Sequence, residues 1–157
     1  MKKFFSLLLC FFAMQASAEI LYFGGNISNT CTFSNSTNGR FSQTGARNLD
    51  ALNVGVPASI TVTNNQAGAF KVSISQPTGW LTAPVGVSTT GFQVMPRVTG
   101  SNSTSGFTPN GSKVETVLQN SGTDVFAVGL LFEESSLSVL PEGEYSTTVT
   151  VLCEATP

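Results

Sequence analysis

The stretch Ala58-Ser59-Ile60-Thr61-Val62-Thr63-Asn64-Asn65-Gln66-Ala67-Gly68-Ala69-Phe70-Lys71-Val72-Ser73-Ile74-Ser75 carries the fold in its pattern. Ile60 and Val62 alternate with Ser59, Thr61 and Thr63. Phe70, Val72 and Ile74 then alternate with Lys71, Ser73 and Ser75. A period of two sends apolar side chains to one face of an extended chain and polar ones to the other. The run 64–68 between them is rich in turn formers. The stretch therefore predicts two half-buried strands joined as a hairpin.

Working outward, the same texture recurs. Residues 20–33 predict a first strand, broken at Gly24-Gly25 and resuming at Asn26, and the polar run 34–45 a loop. Pro77-Thr78-Gly79 predicts a turn before Trp80. Residues 92–98 predict a strand that Pro96 confines to an edge or a bulge. Residues 100–112, dense in Gly, Ser, Asn and Thr, read as a mobile loop, and 114–118 alternate briefly. Residues 125–132 are nearly all apolar, as in a strand buried on both faces. The last strand runs from Gly143-Glu144-Tyr145, with Tyr145, Thr147, Val149, Val151 and Cys153 on one face. Residues 133–140 hold one helical turn at most. The expected core is Ile27, Phe33, Ile60, Val62, Phe70, Val72, Ile74, Val128, Leu130, Phe132, Val149 and Val151. About seven short strands with regular turns predict an all-β fold, an immunoglobulin-like antiparallel two-sheet sandwich, with a barrel as second choice.

The first eighteen residues read as an address. Lys2 and Lys3 precede an apolar run over 4–14, and Ala16-Ser17-Ala18 offers small residues at a cleavage site. That order is a secretory signal peptide, and the run is too short to remain as a membrane span of about 20 residues. Leu7-Leu8-Leu9-Cys10 departs from a lipoprotein box because Leu9 is large where that box takes a small residue. The domain is then 19–157, a single unit of a size that supports one core. The expected location is secreted, passing through a periplasm to the cell surface, with no transmembrane anchor.

Composition narrows the chemistry. The 157 residues include no His, so neither a Ser-His-Asp or Cys-His device nor a His-ligated metal is available. Seven Lys and Arg against nine Asp and Glu leave no broad basic surface for nucleic acid. Glu133-Glu134 would diverge on a strand, and Glu142 and Glu144 flank a turn glycine, so no carboxyl pair for hydrolysis is expected. Asp50 and Asp124 stand apart and read as turn or strand-edge residues rather than a calcium cage. The expectations are no enzyme activity, no metal and no cofactor. Without Cys10, the remaining cysteines are Cys31 and Cys153. An even pair in an exported chain is most simply a disulfide, here joining first strand to last; free thiols or an intermolecular link are the alternatives. Trp80, near a loop, is a possible ligand platform for a sugar ring, although a lone Trp in a sandwich usually packs in the core or at its rim.

The two ends resemble a known family. Ile20-Leu21-Tyr22-Phe23-Gly24-Gly25-Asn26-Ile27-Ser28-Asn29-Thr30-Cys31 is similar to the first strand of chaperone–usher pilins. Gly143-Glu144-Tyr145-Ser146-Thr147-Thr148-Val149-Thr150-Val151 is similar to the last strand of pilins and of spore-coat-U-like secreted domains. The resemblance implies a structural or adhesive subunit of a fimbrium or pilus, with other subunits, a periplasmic chaperone and an usher as partners. It implies assembly by strand addition to an open edge. The donor segment would be Ile20, Leu21, Tyr22 and Phe23 with Glu19. The groove would be flanked by Ile27 and Phe33 on one side and Tyr145, Val149 and Val151 on the other. The segment before Gly24 has five residues, about half a usual donor strand, and the strand at 60–64 lacks the cysteine that pilins place there. A tip or terminating subunit, or a sandwich that completes itself, would explain the short extension. The alternative function is a stand-alone secreted binding module, for carbohydrate, using Trp80 and the 100–112 loop.

Overall fold

A computed structural model describes residues 27–98 and 106–157. The expected signal peptide, residues 1–18, and the expected donor residues Ile20, Leu21, Tyr22 and Phe23 lie outside the described residues. Ten strand segments follow in chain order: β1 (Cys31–Thr37), β2 (Ser42–Gln43), β3 (Asn48–Asp50), β4 (Ala58–Asn64), β5 (Phe70–Ser75), β6 (Phe92–Val98), β7 (Thr108–Asn110), β8 (Lys113–Val117), β9 (Gly122–Glu133) and β10 (Val151–Ala155). Among the described residues no segment is helical, and no helix is long and apolar enough to cross a membrane.

The strands form two antiparallel sheets, the sandwich that the alternation predicts. One sheet has the order β1-β4-β9-β3-β2, with β6 on β9; the other has the order β10-β5-β8-β7. In the first sheet β1 and β2 behave as one interrupted strand opposite β4 and β3. Cys31 pairs with Asn64, Thr37 with Ser59, and Gln43 with Leu49, bridged midway by Arg40 and Val56. Residues 51–57 bulge out between β3 and β4. Asp50 holds that excursion: its carboxylate accepts from the N–H groups of Leu52 (2.5 Å) and Asn53 (2.8 Å) and from the Asn53 amide (3.1 Å). Burial, the largest single influence, pushes its carboxyl up; the bonds from Asn53, Leu52 and Val54 together outweigh it and leave it below the usual range.

The hairpin of the opening stretch is corrected. β4 pairs with β1 and β9, whereas β5 pairs with β10 and β8. The turn at 65–69 therefore crosses from one sheet to the other. Both strands keep their alternation because each faces the same core from opposite layers. The Asn64 amide, buried, donates to the carbonyls of Gln66 (2.9 Å) and Asn120 (3.1 Å) and anchors the crossing.

Three further expectations change. Residues 34–37 are strand, not loop, and Asn35 takes a positive φ of 48° where the β1 register shifts. Thr108–Asn110, expected in a loop, pairs with β8. The last strand is shorter than read: only Val151–Ala155 pairs with β5, and Ser146 forms an isolated bridge with Thr82. Pro96 does lie on an edge strand, since β6 pairs with β9 alone.

The core contains Val62, Val72, Ile74, Phe126, Leu118 and Phe132, each at most 1% exposed. β9 is central and nearly continuous in apolar residues. Its outer side is covered in part by Leu52: a Cβ on Gly129 would overlap the Leu52 side chain. Gly129→Val is expected to cost about 1–3 kcal/mol through that overlap, read from urea unfolding. An unchanged midpoint would show that Leu52 does not cover this strand.

Two expected core members are exposed. Ile27 is 86% exposed and lies ahead of β1. Phe33 pairs with buried Val62, so it points inward, yet it is 40% exposed because, among the described residues, β1 is an edge with no strand beyond it. Ile60, Val149 and Val151 are likewise only partly buried. Ile60, Val149 and Val151 line one place.

Candidate functional site

The edges of the two sheets, β1 and β10, come together at one place. Cys31 and Cys153 form a disulfide with a Cα–Cα distance of 6.3 Å. Above that bridge the edges part. Neither pairs with the other: β1 bonds to β4 and β10 to β5. A trough of about 480 Å³ opens between residues 36–39 and residues 146–149 with Val151, and its floor is Ala58, Ile60 and Val128. A smaller recess of about 100 Å³ lies beneath Gly39, Phe41 and Thr147, floored by Ala51, Ala58, Val128 and Leu130. The mouth is a depression of about 680 Å³ that includes Arg40, Phe41, Leu140, Glu142 and Tyr145. Gly39 and Thr147 line all three, so the spaces adjoin along one side of the sandwich and are called the groove below.

Local sequence explains the walls. Ile60 and Ala58 pair with buried Phe126 and Val128, so they share the inward face. Val151 pairs with buried Ile74 and faces inward likewise. On the opposite wall, Ser146 exchanges backbone bonds with Thr82, and the Thr150 carbonyl accepts from Ser75 N–H at 2.9 Å. Alternate residues of an extended segment bond to opposite sides. The backbone groups of Thr147 and Val149 therefore turn toward the groove. Gly39 forms the other wall, pressed so close to β4 that a Cβ would lie 2.8 Å from Ala58 N.

The mouth is held by an aromatic cluster. Trp80 lies 4.6 Å from both Phe92 and Phe132, 5.4 Å from Tyr145 and 5.9 Å from Phe41, each edge to face. Its indole N–H donates to the Ser88 carbonyl at 2.8 Å. The structure thus places Trp80 among four rings at the top of the core. Tyr145 O–H donates to the Pro141 carbonyl at 2.7 Å and closes the 141–145 turn. Burial first, and the Glu134 charge second, push its phenol up.

Glu134 organises the same end, and sequence reading passed over its role. It is fully buried. Its carboxylate accepts from Ser136 Oγ (2.6 Å), Ser136 N–H (2.7 Å), Ser88 N–H (2.8 Å) and Leu137 N–H (3.3 Å). Burial is the largest single influence and pushes the carboxyl up; these donors together outweigh it and bring it to about 2. Glu133 points the other way and pairs with Arg47 at 3.3 Å on the surface. The two carboxylates do diverge. The absence of a nearby base in the primary sequence hid Glu134, because three of its four bonds come from backbone N–H groups that any residue supplies and the fourth from the Ser136 hydroxyl.

Of the expected flanking residues, Tyr145 lines the mouth, and Val149 and Val151 the trough. Phe33 and Ile27 are outside these linings. The residues missed are Gly39, Phe41, Ala58 and Thr147. Alternation identifies Ala58 with Ile60, but nothing in the polar run 34–45 distinguishes Gly39 as a wall. Among the described residues, no cluster of three or more His, Cys, Asp or Glu could hold a metal ion. The arrangement offers backbone hydrogen-bonding edges above an apolar floor, which is the chemistry of strand addition. No protein-family model matches the chain, and no curated protein matches it in sequence.

Proposed function

We propose that the protein is a secreted, non-catalytic structural subunit of a surface fibre that assembles by accepting a β-strand into the groove between β1 and residues 145–151. The observation that carries this reading is the open side of the sandwich. Ile60, Val149 and Val151 face inward yet are only partly buried, and among the described residues both bordering edges pair on one side only. An added strand would bury those side chains and satisfy the free backbone groups at once. The pilin-like end strands supply the biological setting: a periplasmic chaperone holds the groove until another subunit replaces it. The route out of the cell is the signal peptide of residues 1–18.

The test is Val149→Lys. Val149 is partly buried and packs against the rim of the core, so the variant is first checked for its fold by circular dichroism and urea unfolding, with a loss of about 1–3 kcal/mol expected. Polymer yield by sizing and electron microscopy is expected to fall at least about tenfold, since a desolvated ammonium would face the incoming strand. Unchanged polymerisation would reject the groove. A parent protein that stays monomeric with its chaperone removed would reject the subunit reading itself.

A further inference from the structure

We infer that the outer side of β6 is a latent dimer edge capped by Pro96. Its match is β6 of a second copy, antiparallel about a two-fold axis at Met95, and the proline withholds the donors nearest that axis. The groove plays no part in this. β6 lies across β9 from β4 and β1, on the opposite side of the sandwich.

Backbone bonds fix which groups of β6 point outward. Glu133 N–H donates to the Gly91 carbonyl at 3.1 Å. In the β6–β9 register, Gln93 is opposite Leu131, Met95 opposite Gly129 and Arg97 opposite Ala127. Hydrogen-bonded pairs alternate along an antiparallel ladder, so Gly91, Gln93, Met95 and Arg97 bond to β9. The backbone groups of Phe92, Val94, Pro96 and Val98 face away from it. Among the described residues nothing pairs with that outer row. Pro96 has no N–H to give. It costs the β9 ladder nothing and leaves a gap in the outer row.

A second proline repeats the arrangement on the neighbouring edge. Gln76 N–H donates to the Ser112 carbonyl (2.8 Å) and Leu118 N–H to the Phe70 carbonyl (2.9 Å). Even-numbered residues of β8 therefore bond to β5, and odd-numbered ones to β7. Thr108 and Asn110 lie opposite Glu115 and Lys113, which leaves Pro109 facing out. Pro96 and Pro109 border one hollow of about 410 Å³. The groove side differs. Asn65 N–H bonds to the Thr30 carbonyl and Ser75 N–H to the Thr150 carbonyl, so Cys31 and Phe33 face out on β1, and Val151 and Cys153 on β10. Each of these keeps its N–H.

β7 has three residues, but β6 has seven. Its outer row would otherwise suit a copy of itself. Pairing centred on Met95 sets Val94 against residue 96 of the second copy and Phe92 against residue 98. Met95, 38% exposed, meets Met95 across the axis, and Arg97 meets Gln93, so no like charges oppose. Each proline removes one of the bonds between positions 94 and 96, and its ring meets the Val94 carbonyl of the other copy where a hydrogen would be. Symmetry applies the loss twice. Proline on an edge is a known guard against such pairing.

The test compares the mature protein with Pro96→Val by sedimentation velocity over a wide concentration range, with amide hydrogen exchange at both ends of it. Valine keeps an apolar side chain and restores the N–H; Pro96→Ala is the second variant, and circular dichroism checks each fold. Pro96→Val is expected to dimerise at least about tenfold more tightly than the parent. The amides of residues 92, 94, 96 and 98 should become protected as concentration rises. Adding Met95→Lys, which sets like charges across the axis, should return it to the parent's behaviour. In the parent, whose fold is not in question, the amides of Phe92, Val94 and Val98 should exchange freely even at the highest concentration. Protection of those three in the parent overturns the proposal. So do folded Pro96→Val and Pro96→Ala proteins that stay as monomeric as the parent, association that leaves β6 unprotected, or a dimer indifferent to Met95→Lys.

Discussion

Replacing Cys31 and Cys153 together by serine is expected to lower the free energy of unfolding by about 4–5 kcal/mol. The bridge spans a sequence separation of 122 residues. In the chain-entropy account, closing so long a loop removes a large share of the unfolded chain's freedom. The native side of the argument is local. β1 and β10 share no ladder bond and belong to different sheets. Little else holds these two edges in register, so the link does structural duty that no hydrogen bond duplicates. Calorimetry of parent and variant is the direct check, with a fall in Tm of about 10–20 °C expected. A shift of only a few degrees would mean that the sheets find each other without the crosslink.

The second large effect is at Glu134. Glu134→Ala is expected to destabilise the fold by about 3–5 kcal/mol, because it strands buried N–H groups of Ser88, Ser136 and Leu137 and leaves a cavity. Glu134→Gln tests the charge separately and should recover part of that loss by keeping the volume. The carboxyl titrates at about 2 in the folded protein, against an ordinary value of 4.5. A group lowered on folding stabilises the native state fully above its unfolded value. That contribution drains away as pH falls from about 4.5 toward 2, where the unfolded chain binds the proton more readily. Parent protein should therefore lose stability through this window, and Glu134→Gln should show a shallower loss in urea titrations from pH 6 to pH 2. Glu115 adds to the slope. It also sits at about 2, held there first by a hydrogen bond from Lys113 and then by one from Asn110. Identical slopes in parent and Glu134→Gln would exclude Glu134 as a source of acid sensitivity.

Alternation alone located β4 and β5 to within a residue, as well as β6 and β8. Period two depends only on which side chains meet water, and that is written residue by residue. Partner choice is not written that way. The 64–68 turn has the composition of a hairpin, yet its strands go to opposite sheets. Both pairings would bury the same side chains, and only the competition of β1, β9, β8 and β10 for those edges decides between them. β1 was misplaced for a related reason: Ser34-Asn35-Ser36-Thr37 carries no apolar signal, because these side chains stand at an edge where β4 alone specifies the pairing.

The groove shows the same division. Val149 and Val151 are apolar at alternate positions, and this marked their side as inward. Cys31 and Cys153 were legible as a candidate pair because they are the two cysteines left when residues 1–18 are read as an address, and the structure joins them. What the primary sequence by itself determined was local: where the chain extends, which face is dry, and which two sulfurs are the candidates for a bridge. Only the packed structure decided that the inward faces of Ile60, Val149 and Val151 remain partly uncovered and that Glu134 lies buried among backbone donors. Both depend on what lies across space, and distances between segments far apart in sequence emerge only when two sheets close on one core.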